Sequence, residues 1–182
     1  MMTYATFGQR LAALLIDGLV LLPLVFIQFW LESISKTAAI LLVIPMTAAS
    51  SAYPIVLHGR FGQTVGKHAM GIRVVRTNGQ RIGWREAWLR SSVDVAFAIG
   101  NTVSSFVALA TIPDSEYYGV DWLQRMTNLD AYAPSWLAWT FVGVQIWAWS
   151  ELVVILFNKK RRALHDFIAG TVVRAEPKIS DA

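Results

Sequence analysis

Arg10 and Asp17 stand seven residues apart in one apolar stretch, with Gln28 further along it. At about 100° per residue the three fall within roughly 20° of one another on a helix, and Asp17 lies about 10 Å deeper than Arg10. A second apolar stretch carries Arg90, Asp94, Asn101 and Ser105 at spacings of 4, 7 and 4, within roughly 60° on one face. Val93, Phe97 and Val107 fall outside that stripe. Acids and arginines in such surroundings carry an ion, proton or solute, or they pair to fix the register of helices. Both readings stay open here. A carboxylate turned toward lipid costs roughly 2.5–3.5 kcal/mol, so the stripes are expected to face each other or a water-filled cavity. The expected pairs are Asp17 with Arg10 or Arg90, and Asp94 with Arg90. Glu151, about two turns before Lys159, is expected to join this cluster or to reach the membrane interface.

The elements that hold these side chains must be membrane helices. The chain is 55% hydrophobic and only 15% charged, where a soluble domain carries about 25% charge. A helix needs about 20 mostly apolar residues to cross the hydrocarbon core, and four stretches qualify: 11–31, 37–57, 87–112 and 135–157. The first is a retained helix rather than a signal peptide, because Asp17 interrupts it and no small-x-small cleavage site follows. Ala96, Gly100 and Ser104 form a small-residue ridge for close helix packing. Trp30, Trp84, Trp88, Trp136 and Trp139 sit near predicted span ends as interface anchors. Trp147 and Trp149, inside the fourth span, are expected to pack against helices or a partner.

Charge orients the spans. Among 16 Lys and Arg, all but Lys36 and Arg125 fall in three clusters beside apolar segments. Arg10 precedes the first span; the 58–86 segment holds Arg60, Lys67, Arg73, Arg76, Arg81 and Arg85; Lys159, Lys160, Arg161 and Arg162 follow the fourth, with Arg174 and Lys178 after them. The 113–134 loop is acidic, with Asp114, Glu116, Asp121 and Asp130. Four crossings put all basic segments on one side, which the positive-inside rule makes cytoplasmic. The 113–134 loop is then extracytoplasmic, and 176–182 forms a flexible tail. The basic run serves as a topological anchor, worth about 1 kcal/mol per residue near anionic lipid, and as a candidate headgroup ligand. This pattern does not suit a nucleic-acid stripe.

The fold expected is an all-α membrane protein: a four-helix transmembrane bundle with both termini cytoplasmic, forming one domain over 1–175. Residues 72–77 and 80–82 around Asn78-Gly79 predict a small cytoplasmic β-hairpin with a type I′ turn. Thr171-Val172-Val173-Arg174 is a candidate third strand. The segments Lys67-His68 to Val74-Val75-Arg76 and Leu164-His165 to Val172-Val173-Arg174 echo each other, each with a short interfacial helix ahead of its strand.

Catalytic chemistry finds little support. No cysteine is present, which removes disulfides, thiolate metal sites and cysteine nucleophiles. Gly62-Gln-Thr-Val-Gly66-Lys67-His68 departs from a phosphate-binding loop in its glycine spacing and in having histidine where Ser or Thr would hold magnesium. His58, His68, His165 and Asp166 lack the spacing of a helical zinc site. Asp166 is expected instead to accept hydrogen bonds at a short helix or to pair with an arginine of the middle loop. No enzyme, metal or cofactor is expected.

Three segments carry a resemblance. Phe7-Gly-Gln-Arg10-Leu-Ala-Ala-Leu-Leu-Ile-Asp17, then Gly62-Gln-Thr-Val-Gly66-Lys67 with Gly71-Ile-Arg-Val-Val75 and Asn78-Gly79, then Arg161-Arg-Ala-Leu-His165-Asp166-Phe-Ile-Ala-Gly170-Thr171-Val-Val resemble, in order, the opening, middle and closing motifs of the RDD family. The resemblance implies an integral protein of a bacterial or archaeal cytoplasmic (inner) membrane, with a suspected transport role and ion exchange among the proposals. It assigns the family's arginine to Arg10 and its first aspartate to Asp17; the second is Asp166, with Asp94 as the alternative. The 113–134 loop departs from the family pattern in its length, as a candidate partner surface. Two functions follow as expectations. The first is transport of ions or small solutes through the Arg/Asp cluster, with a homo-oligomer expected. The second is an accessory or scaffold subunit of a larger membrane complex. The bilayer, including its anionic lipids, is the expected partner, and nucleic acid is not.

Overall fold

Ser35 alone separates the first two long helices, and it caps both. α1 runs Phe7–Ile34, and the Ser35 N–H closes it on the Leu31 carbonyl. The Ser35 hydroxyl then accepts the Ala38 N–H at 3.3 Å to open α2, Lys36–Phe61. At its own start, α1 has a reciprocal cap in which the Thr6 hydroxyl accepts from the Gln9 N–H and the Gln9 side chain accepts from the Thr6 N–H. Gly62, at φ +73°, ends α2 in the left-handed conformation that glycine adopts without steric cost. The computed structural model describes residues 3–176. The expected tail beyond Glu176 and Lys178 within it lie outside the described residues.

After α2 the chain folds into a short helix, α3 (Val65–Ala69), and a strand, β1 (Ile72–Arg76). α4 (Trp84–Thr111) is followed by two small helices, α5 (Asp114–Tyr117) and α6 (Trp122–Tyr132). α7 (Leu137–Phe157), a short α8 (Leu164–Ile168) and β2 (Thr171–Ala175) complete the fold. The helices α1, α2, α4 and α7 are long and apolar enough to cross a membrane. Their large side chains point outward, among them Leu14, Leu19, Leu41, Trp139 and Phe157, as helices in contact with lipid require. α4 is central, packing on α2, α6, α7 and α8. α7 packs on α4 and α8 and has no buried residue.

The expected hairpin is corrected. β1 pairs not with 80–82 but with β2, antiparallel, Ile72 opposite Ala175 and Arg76 opposite Thr171. The 76–80 turn does form, but only Gly79 (φ +86°) has a positive φ and Asn78 does not, so the turn is not type I′. The Gly79 N–H reaches the Arg76 carbonyl, and Arg76 N–H reaches that of Gln80, which is the three-residue loop with a left-handed glycine. A single bridge, Val75 to Arg81, is all that the returning chain adds. The N-terminal segment lies along β2 instead, through Ala5 N–H to the Val173 carbonyl and Ala175 N–H to that of Thr3. Ala5, Ala13, Ile72, Val74, Ile82 and Val173 make a small core beneath this sheet.

One pattern occurs twice along the chain. Two long helices, a short helix, a left-handed glycine and a strand appear as α1, α2, α3, Gly71 and β1, and again as α4, α7, α8, Gly170 and β2. The ends of the short helices are matched bond for bond. Met70 N–H to the Gly66 carbonyl corresponds to Ala169 N–H to that of His165, and Gly71 to His68 corresponds to Gly170 to Phe167. Val74 and Val173 occupy equivalent places and face each other across the strand pair, so a local two-fold axis passes between them. Lys67 and Asp166 are also equivalent, with opposite charges.

The 113–134 segment is not a bare loop. α5 and α6 close back on the ends of α1, α2 and α4. Tyr117 is fully buried against Ala39, Leu109 and Ile112 and donates to the Glu32 carbonyl at 2.6 Å. Lys36 bonds the Ile112 carbonyl and Asp114; Glu116 accepts from Tyr132 at 2.9 Å; Asp121 caps α6. Three of the four acids expected to face a partner are therefore engaged within the chain.

Candidate functional site

Asp166 is the centre of the charged cluster. It is fully buried at the first turn of α8, where its side chain accepts the Ala163 N–H at 3.0 Å. Arg10 from α1 donates to the same oxygen at 3.0 Å. Arg90 from α4 and the Thr171 hydroxyl from β2 donate to the other. Burial alone would push this carboxyl up, but the charges of Arg90, His165 and Arg10 and the Ala163 N–H hold it well below the usual carboxylate range. One carboxylate thus ties the two long helices that begin each repeat to the closing segment. The expected pairs Asp17–Arg10, Asp17–Arg90 and Asp94–Arg90 do not form, because both arginines reach Asp166. Nor is the partner of Asp166 an arginine of the middle loop.

Asp17 serves α3 instead. Its carboxylate accepts the Thr64 hydroxyl at 2.6 Å, the Tyr53 hydroxyl at 2.7 Å and the Gly66 N–H at 2.7 Å. Gly66 permits this, since a Cβ there would lie 2.9 Å from the Asp17 carboxyl carbon and press on the Ala13 backbone. Asp94 accepts the Trp147 indole N–H at 3.1 Å from α7. Glu151 binds His165 twice, through the backbone N–H at 2.8 Å and Nδ1 at 2.5 Å. Among the basic run, Lys159 and Lys160 are exposed, and the Arg161 carbonyl accepts from Arg10. Arg162 turns inward to the carbonyls of Thr171 and Asp166, so it is not free for a headgroup.

The polar stripes of α1 and α4 line one cavity of about 610 Å³, with Asp17, Gln28, Arg90, Asp94, Asn101 and His165 in its wall. On the sheet side its wall includes His58 and Lys67. A second cavity of about 300 Å³ lies beneath the α5–α6 cap, lined in part by Glu32, Ser104, Ser105, Arg125 and Asp130. Gln28 and Asn101 belong to both walls. Gln28 follows Asp17 by the same interval at which Asn101 follows Arg90.

Sequence reasoning missed Lys67, His58, Tyr53 and Thr64 as cavity residues. Lys67 and Thr64 reach it because α3 folds back onto α1, a long-range contact with no local periodicity. The available signal was Gly66, whose missing side chain permits the close approach to α1.

The RDD family model matches residues 4–170, taking in Arg10, Asp17, the Gly62–Gly79 motif and the closing segment as far as Gly170. No curated protein matches the chain.

Proposed function

The chain belongs to the RDD family, and from that footing we propose that it passes a small solute or ion across a membrane through its two cavities. The observation that carries this reading is the sharing of Gln28 and Asn101 between a larger cavity whose wall reaches the sheet side and a smaller one beneath the cap. The two amides are, in this reading, the constriction between the compartments. In this reading the sheet face, with its basic residues, is cytoplasmic and the cap is extracytoplasmic. α3 and α8 lie at the cytoplasmic interface. Asp166, with Arg10 and Arg90, holds the helices in register; Asp17 fastens α3. Asp94 has one hydrogen-bond donor on it and remains the carboxylate most available to a passing solute.

The lack of native cysteine makes the test direct. Single cysteines are placed at Ser51, Ser105 and Asn101, with Leu41→Cys as a lipid-facing control, in oriented vesicles. A membrane-impermeant thiol reagent is expected to label Ser51→Cys from the sheet side only and Ser105→Cys from the cap side only. Asn101→Cys should react from either side. A cavity impermeable to the reagent at all three positions, labelled no faster than Leu41→Cys, defeats the reading.

A second reading, as a non-catalytic subunit of a larger complex, draws support from α7. Its lack of any buried residue, with Trp139 and Trp149 turned outward, leaves a face that a partner helix would cover.

A further inference from the structure

At the sheet-side end of the larger cavity, hydrogen-bonding capacity is unevenly spent. The acids there are occupied. Asp17 holds three donors, Asp166 is enclosed by Arg10, Arg90, Thr171 and the Ala163 N–H, and Glu151 is held by His165. Asp94, farther along α4, carries the Trp147 indole. The donors are not all occupied. His58 is 4% exposed, and neither ring nitrogen makes a hydrogen bond, although the Pro54 carbonyl lies nearby. The titratable groups around that ring are Lys67, Arg90 and His165, all bases. Lys67 lines the same cavity, and its ammonium has no hydrogen bond or ion pair among the described residues. Burial and the Arg90 guanidinium push Lys67 down to about 8, against the pull of Asp17 and Asp166, so it is charged at neutral pH and lacks a counter-ion of its own.

We propose that Lys67 and His58, with Arg90 behind them, bind a phosphate oxyanion, either free or borne on a lipid headgroup. An ammonium is a point charge with three N–H donors that suits phosphate, and a tetrahedral oxyanion offers several acceptors to donors converging from α2 and α3. A cation at this end of the cavity would face the Lys67 and Arg90 charges, with Asp17, Asp166 and Glu151 already engaged. The inference rests on reading the cavity as a solute compartment, and it names what that compartment takes.

The test titrates delipidated protein in detergent with inorganic phosphate by calorimetry. In parallel, lipid retained after extraction from phosphatidylcholine vesicles doped with phosphatidic acid is measured by mass spectrometry. Lys67→Gln is expected to weaken phosphate binding at least tenfold and Lys67→Arg to retain it. Wild-type binding should fall as pH rises past about 8, where Lys67 loses its proton. Phosphatidic acid retained by wild type and lost from Lys67→Gln, without binding of free phosphate, identifies the headgroup as the source. Binding of neither ligand, or equal binding by a Lys67→Gln protein that melts like wild type, overturns the proposal. Thiol labelling at Asn101 separates this result from the transport reading. A labelled cavity that binds no phosphate removes only the oxyanion site. A phosphate-binding cavity closed to the reagent removes only the path.

Discussion

Asp166 shows how a single carboxylate can be worth more than the pair it resembles. Replacing it with Asn leaves Arg10 and Arg90 without an anion in a buried place. Breaking a buried ion pair from one side costs about 3–5 kcal/mol, and Asp166→Asn is expected to lose that much, read as a lower melting temperature in detergent. The same group sets an acid limit. A carboxyl whose folded value is depressed contributes stability above its unfolded value of about 3.9, and that contribution fades as pH falls below it. Wild type should therefore lose stability on acidification faster than Asp166→Asn does, and parallel curves would show that Asp166 is not ionised. At this scale the sequence was half legible. Hydropathy and helical spacing singled out Arg10, Asp17, Arg90 and Asp94, because a charge in an apolar run is visible without any partner. It did not say who pairs with whom, because that depends on α8 reaching both long helices from the far end of the chain. Lys67 was hidden for the same reason: Gly66 permits a close approach, but nothing in residues 62–70 says that α1 is the neighbour.

Among the elements, α3 depends on a contact with almost no tolerance. Gly66 sits against the Ala13 backbone and donates to Asp17, so a methyl group there must push α3 away from α1. Gly66→Ala is expected to cost about 1–3 kcal/mol by overpacking, measured by melting, whereas Gly71→Ala, with nothing within 4 Å of its added Cβ, bears only the strain of its positive φ. Equal losses at the two glycines would mean that α3 is not docked as described. The long helices were legible because about 20 apolar residues leave few alternatives. The sheet was misread for an instructive reason. Asn78-Gly79 is a strong local turn signal, and a turn forms there, but residues 80–82 leave after one bridge and β1 takes its partner from β2. Local chemistry specified the bend, and the partner came from the repeat.

For the molecule as a whole, α1, α2 and α4 line both cavities, and the transport reading places the path through Gln28 and Asn101 within one copy. Extracted in a mild detergent, the protein is expected to have the native mass of one 20.3 kDa chain. A doubled mass, or a second polypeptide in fixed proportion, would favour the reading in which α7 seats a partner. The duplicated plan also bears on how the chain reaches this state. Arg10 and Arg90 are both made well before the carboxylate they share, which arrives only at residue 166, and β1 has no strand to pair with until 171–175 follow. During synthesis the first three long helices therefore wait with two unneutralised guanidiniums and an open strand edge. A chain that stops before residue 166 lacks both the carboxylate shared by the two arginines and the partner of β1, and is expected to insert without closing its sheet side.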